Sequence, residues 1–134
     1  MIVVDTNIIG YLYLNNAHSP QAEQALRKDS LWATPYLWRS ELRNVLAHYL
    51  RRNLLAPTDA QPILDEALHL MQGREYEVPS AQVLNLVVKS SCSAYDCEFV
   101  GLAQDLNVPL VTMDKQIIQQ FPEIALSLEK FLTL

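Results

Sequence analysis

The chain has 134 residues, half of them apolar, only three glycines and a net charge of −5. That length suits a single core, and the absence of Ser/Gly-rich or Pro-rich tracts excludes long linkers, so one domain over residues 1–134 is expected. No apolar run reaches the ~20 residues of a membrane span and Met1-Ile-Val-Val-Asp5 does not read as a leader, which predicts a cytoplasmic protein with no membrane partner.

Ile2-Val3-Val4 is a β-branched run that predicts a strand, and Ile8, Ile9, Tyr11, Leu12 and Tyr13 predict a helix after Asp5-Thr6-Asn7. Ser19-Pro20 supplies a cap and a first-position proline for a helix over Gln21 to Lys28, with a strand at Leu31-Trp32-Ala33 beyond it. Thr34-Pro35 repeats the start signal and predicts a helix to about Arg52, its inward stripe formed by Leu42, Val45, Leu46, Tyr49 and Leu50. Thr58 is expected to cap a helix to Leu70 or Met71, Tyr76-Glu77-Val78 to be extended, and Ser80 to cap a helix carrying Val83, Leu84, Leu86 and Val87.

Ser93 starts the next helix, with Tyr95, Phe99, Leu102, Ala103 and Leu106 on one face. Cys92 and Cys97 straddle that start, a poor geometry for a bridge, and no further Cys or His completes a zinc set, so both read as free thiols. Asn107-Val108-Pro109 breaks the helix before the strand Leu110-Val111-Thr112, and another helix follows Asp114. Short apolar strands separated by helices need crossover connections, which makes the fold class α/β with a parallel sheet.

Ligands of open parallel sheets bind beyond the carboxyl ends of the strands. Asp5 follows the first strand and Asp114 the last clear one, while Asp96 lies in the first turn of the helix opened by Ser93. Each of these three has an ordinary explanation as a helix cap or a first-turn acid. Glu41 has none: it borders the apolar stripe of its helix, where an unpaired carboxylate is expensive. Carboxylates that cluster repel, and a cation offsets the repulsion; oxygen-only donors select hard ions such as Mg²⁺ or Mn²⁺, which suit phosphodiester hydrolysis. The low net charge argues against strong non-specific nucleic-acid affinity, yet setting aside four clustered acids leaves the chain nearly neutral.

Four stretches resemble the motifs of the PIN-domain family: Val4-Asp5-Thr6-Asn7, Ser40-Glu41-Leu42-Arg43-Asn44-Val45-Leu46, Ser93-Ala94-Tyr95-Asp96-Cys97-Glu98-Phe99-Val100 and Leu110-Val111-Thr112-Met113-Asp114. One such triplet is weak evidence; four in order over nearly the whole chain are strong. The resemblance implies a three-layer α/β/α sandwich with a central parallel sheet. It also implies that Asp5, Glu41, Asp96 and Asp114 hold one or two Mg²⁺ or Mn²⁺ ions and cut RNA endonucleolytically, with Thr6, Asn7, Ser93 and Thr112 contacting the ligands or the substrate. A short stand-alone PIN domain is most similar to a VapC-type toxin, which implies a homodimer and inhibition by a VapB-like antitoxin.

Arg39 and Arg43 flank Glu41 and divide evenly between phosphate or antitoxin contact and a solvated face, whereas Arg51 and Arg52 read as helix-end charges. Glu98 reads as a surface acid more than a pocket-edge one; His18, His48 and His69 share no ligand spacing; Trp32 and Trp38 favour packing over base stacking. A haloacid-dehalogenase-like phosphotransferase fits less well, because its D-x-D pair is broken by Asn7. A catalytically silent module that binds RNA or protein is the other alternative.

Overall fold

Ile2, Val3 and Val4, all buried, form the central strand of the molecule. The computed structural model describes residues 1–134. Its strands are β1 (Ile2–Val4), β2 (Trp32–Pro35), β3 (Glu75–Tyr76), β4 (Leu110–Val111) and β5 (Ala125–Leu126), joined in one sheet in the order β3-β2-β1-β4-β5. Every pairing is parallel, with Val3 opposite Ala33 on one side and Leu110 on the other.

The helices are α1 (Thr6–Tyr13), α2 (Ser19–Lys28), α3 (Trp38–Arg51), α4 (Pro57–Met71), α5 (Ser80–Val88), α6 (Ala94–Leu106), α7 (Lys115–Gln120) and α8 (Leu128–Leu132). The chain steps one way along the sheet from β1 through β2 to β3 and the other way from β3 to β4; since parallel crossovers are right-handed as a rule, that reversal sends the intervening helices to opposite faces. Accordingly α1 to α4 pack on one another with α8 against α2, while α6 lies on β1, β2 and β4 with α5 beside it. This is the three-layer α/β/α sandwich. Trp32 and Trp38 are fully buried, and their indole N–H groups donate to the Asp29 carbonyl at 2.9 Å and to Glu75 Oε2 at 2.7 Å. Both act in packing. No helix is long and apolar enough to cross a membrane.

Several local expectations give way to the structure. Thr34-Pro35 ends β2 instead of starting α3: the Tyr36 N–H donates to the Tyr76 carbonyl at 3.1 Å, so ladder bonding continues past a proline that sits at the strand's last position. Thr58 and Ser80 do not cap; Ala56 and Pro79 occupy the cap positions, and Pro57 supplies the preset backbone for the first turn of α4. Ser19 is the first residue of α2, with His18 before it, and Ser19 Oγ fastens the preceding loop by donating to the Leu14 carbonyl at 2.9 Å. Tyr95 is 63% exposed and lies off the buried face of α6. β5 and α8 carry no periodic signal; they are fixed by the pairing of Ala125 with Leu110 and by Ser127 Oγ accepting the Lys130 N–H at 3.1 Å.

α5 and α6 approach closely because position 101 is glycine. A Cβ there would stand 3.1 Å from Val78 Cγ1 and 3.4 Å from Gln82 Cδ, and Gln82 Nε2 donates to the Gly101 carbonyl at 3.1 Å.

Candidate functional site

β1 and β4 are neighbours although two strands separate them in the chain, so the crossover direction reverses between them and a crevice opens at their carboxyl ends. Asp5 leaves β1 there, and Thr112 and Asp114 leave β4. The Asp5 N–H donates to the Val111 carbonyl at 3.0 Å, which ties the two strand ends together.

Asp5 is only 9% exposed. Its Oδ1 accepts the Thr6 N–H at 2.7 Å and its Oδ2 accepts the Thr112 hydroxyl at 2.7 Å. The same Thr112 oxygen accepts the Asp114 N–H at 3.0 Å, so one buried threonine links the two acids. Asp114 Oδ1 caps α7 by accepting the Gln116 and Ile117 N–H groups at 2.9 and 3.2 Å. Capping is therefore real at Asp5 and Asp114, and it fixes the side chains on the rim.

Glu41 reaches the rim from the first turn of α3, where its Oε1 accepts the Thr6 hydroxyl at 2.7 Å. Asp96 comes from the first turn of α6, whose cap is Ser93 Oγ accepting the Asp96 N–H at 3.1 Å. The loop before α6 is held to α7: Gln116 Nε2 donates to the Ser91 carbonyl at 2.8 Å and to Ser91 Oγ at 3.1 Å. That contact brings Asp96 and Asp114 to the same end of the sheet.

The charges act on one another. Burial pushes the Asp5 carboxyl up to about 7 against the pull of the Thr112 and Thr6 donors, with the charges of Glu41 and Asp96 adding to the rise. Glu41 is raised by burial, offset in part by the Thr6 hydroxyl, and raised further by Asp96 and Glu98. Asp96 is raised by burial and by Asp114. No Lys or Arg contributes to any of these three shifts, so the four acids form one connected field of like charge without an internal counter-ion.

They do not close into a tight cage: no three acidic, histidine or cysteine side chains stand at chelating separation. Mutual repulsion keeps such groups apart until a cation offsets it. The donor chemistry is that of a hard divalent cation, since the acids offer only carboxylate oxygens. Next to Thr6 in the first turn of α1, the Asn7 Oδ1 is buried without a hydrogen-bond partner.

Thr6 and Thr112 thus orient Glu41 and Asp5 directly, Asn7 is half-buried in the first turn of α1, and Ser93 is an exposed cap. Arg39 is not free for a ligand, because Glu75 holds its guanidinium through two bonds of 2.7 and 2.6 Å. Arg43 makes one side-chain hydrogen bond, to Ser40 Oγ at 3.1 Å. Glu98 is half-buried and its charge adds to the rise of the Glu41 carboxyl, and Tyr36, half exposed just past β2, carries no motif. The signal for Tyr36 is positional: like Asp5, it follows the carboxyl end of a parallel strand. Both cysteines are buried and free.

The fold and its rim define a three-layer α/β/α protein with carboxylates gathered at the switch point of its sheet. The sequence model of the PIN domain family matches residues 2–124, and the chain belongs to that family. It is similar to ribonuclease VapC3 of Pyrobaculum aerophilum, 29% identical over 126 residues that cover 92% of this chain and 96% of the relative. It is 32% identical over 117 residues to VapC ribonuclease Mb0985 of Mycobacterium bovis, covering 87% of this chain and 88% of that one. Among solved structures, the crystal structure of PAE2754 from Pyrobaculum aerophilum superposes with a TM-score of 0.78 at 20% identity, over 98% of this chain and 93% of the other.

Proposed function

We propose that this chain is an RNA-cleaving hydrolase, the endoribonuclease toxin of a VapBC-type pair, acting as a single PIN domain over residues 1–134 with Asp5, Glu41, Asp96 and Asp114 as its divalent-cation ligands. The observation that carries this reading is the buried Asp5 carboxyl, raised to about 7 among the charges of Glu41 and Asp96 with no basic residue offsetting them. Such a group needs a proton or a cation, and Mg²⁺ or Mn²⁺ fits the all-oxygen donor set. The VapC ribonucleases of P. aerophilum and M. bovis, similar over most of their length, support RNA as the substrate.

A bound Mg²⁺ or Mn²⁺ would acidify a water for attack and neutralise charge on the phosphate. The chain's own residues do the rest. Thr112 and the Thr6 amide hold both Asp5 oxygens, and the Thr6 hydroxyl holds one Glu41 oxygen, so these carboxylates keep their remaining lone pairs directed by fixed partners. Asp114 is held by its cap and the Asp96 backbone by the Ser93 cap of α6, which positions both before substrate arrives. Asn7, next to Thr6, supplies an unsatisfied buried amide oxygen for a ligand or a water. Homodimerisation, a VapB-like antitoxin laid across the rim and a cytoplasmic location belong to the same proposal.

The test is cleavage of single-stranded RNA and of total RNA by purified protein, with Mg²⁺ or Mn²⁺ supplied and then chelated. Metal-dependent internal cuts, lost in Asp5→Asn and Asp96→Asn proteins that remain folded, are the expected result. Wild-type protein that binds RNA in Mg²⁺ and Mn²⁺ and leaves it whole would favour a silent binding module.

A further inference from the structure

The carboxyl-end rim continues past the acids toward the edge of the sheet. Tyr36 directly follows β2 and Glu77 directly follows β3, so both face the rim on which Asp5 lies after β1. Between them is a cleft of about 400 Å³ lined by Tyr36, Tyr76, Glu77, Val78, Ser80 and Glu98. A second cleft of about 340 Å³ shares Val78, Ser80 and Glu98 with the first, so the two make one groove. Glu98 follows Asp96 by two residues in α6, and its charge adds to the rise of the Glu41 carboxyl.

The lining selects what enters. No Lys or Arg side chain lines either cleft, and the groove holds carboxylates and hydroxyls, so it repels phosphate and accepts hydrogen-bond donors. The Tyr36 ring is 50% exposed, and the Arg39 guanidinium lies 5.6 Å over it, itself fastened by Glu75. A braced, exposed aromatic ring in a cleft of this size is a stacking surface for an unpaired base. The neighbouring strand carries Asp5, and strands stand only ~5 Å apart, a span that one nucleotide bridges.

We infer that this cleft is a nucleobase subsite in which an unpaired guanine of the RNA stacks on Tyr36 and presents its N1–H and N2–H donors to the Glu98 carboxylate. Guanine is the base whose Watson–Crick edge carries two adjacent donors, the complement of a carboxylate that only accepts. Adenine and cytosine set an acceptor beside their amino group, and uracil offers a single N–H between two carbonyls. Glu98 is the reader in preference to Glu77 because it is half-buried and common to both clefts, whereas Glu77 is exposed. The inference rests on RNA being the substrate, but its test requires no cleavage.

The four nucleoside 5′-monophosphates and inosine 5′-monophosphate are titrated into the wild-type chain in EDTA, with amide shifts followed by NMR. All five share one phosphate, so differences report the base. Guanosine monophosphate should move Tyr36, Tyr76 and Glu98 and bind at least about five-fold tighter than the inosine nucleotide, which lacks the second donor. Glu98→Gln should remove that preference, Tyr36→Ala should weaken every nucleotide, and Tyr36→Phe should retain binding. Equal affinity for all bases, or a guanine preference that survives Glu98→Gln, overturns the subsite. So does an arginine-rich peptide that occupies the same residues and displaces no nucleotide, which would make the groove a protein-docking surface. A folded chain that selects guanosine monophosphate yet cuts no RNA leaves the subsite standing and removes the nuclease.

Discussion

Replacing Asp5 by Asn should stabilise the metal-free chain while abolishing its activity. Burial and two neighbouring charges raise this carboxyl from 3.8 to about 7. The folded value lies above the unfolded one, so between these two pH values the folded chain holds a proton that the unfolded chain has lost. The folded state is therefore favoured at acid pH and loses stability as pH rises through the window. That rise, at about 1.4 kcal/mol for each tenfold change in acidity, amounts to about 4 kcal/mol once Asp5 is fully ionised. Asn keeps an oxygen for the Thr6 N–H and carries no charge. In EDTA at pH 8 the Asp5→Asn protein should melt about 10 °C above wild type, and the gap should close toward pH 4. Saturating Mg²⁺ should then raise the wild-type midpoint and leave the variant's nearly unchanged. Calorimetry across pH, with chelator and then with metal, measures all of this. A variant that melts at or below wild type at pH 8, or a gap that ignores pH, would refute a charge-burdened Asp5.

Thr112→Val removes the donor to Asp5 and the acceptor for the Asp114 N–H, and should lower Mg²⁺ affinity about 10- to 100-fold with the fold intact, as read by metal titration of cleavage. Arg39→Ala leaves Glu75, whose side chain is only 9% exposed, with the Trp38 indole as its one remaining side-chain donor; denaturant unfolding should show a loss of about 1–2 kcal/mol after screening of the half-exposed arginine. Because Arg39 and the Trp38 indole lower the Glu75 carboxyl, that contribution is present above the unfolded value and disappears as pH falls through the folded one, so the variant and wild type should converge in acid. Gly101→Leu places atoms within 3.1 Å of Val78 Cγ1 and should push α6 from α5, costing about 2 kcal/mol and weakening the metal response through displacement of Asp96; thermal melts and metal titration check both parts.

Much of the architecture is legible in the chain itself. β-branched runs mark β1 and part of β4, the i, i+3, i+4 stripe marks α3, and Ser93 marks the start of α6, because each signal depends on neighbours a few residues away. The acids Asp5, Asp96 and Asp114 could be placed at strand ends and helix starts for the same reason, and the structure sets them at one end of the sheet with Glu41. Short elements are harder to read. β5 consists of Ala125 and Leu126, two residues without β-branching, and becomes a strand only because β4 offers an open edge. Thr34-Pro35 carries a helix-start pattern that pairing with Glu75 and Tyr76 overrides.

Sequence by itself determined the α/β class with its parallel sheet, the longer strands and helices, and which carboxylates lie at element ends, since these follow from periodicity and local hydrogen-bonding chemistry; the three-layer arrangement came from the likeness to a family. Tertiary structure alone decided that Thr112 bonds Asp5 across 107 positions, that Glu75 occupies Arg39, and that Tyr36 and Glu98 share a cleft. Those relations depend on which strands become neighbours in the sheet, and no pattern within a few residues of each partner carries that information.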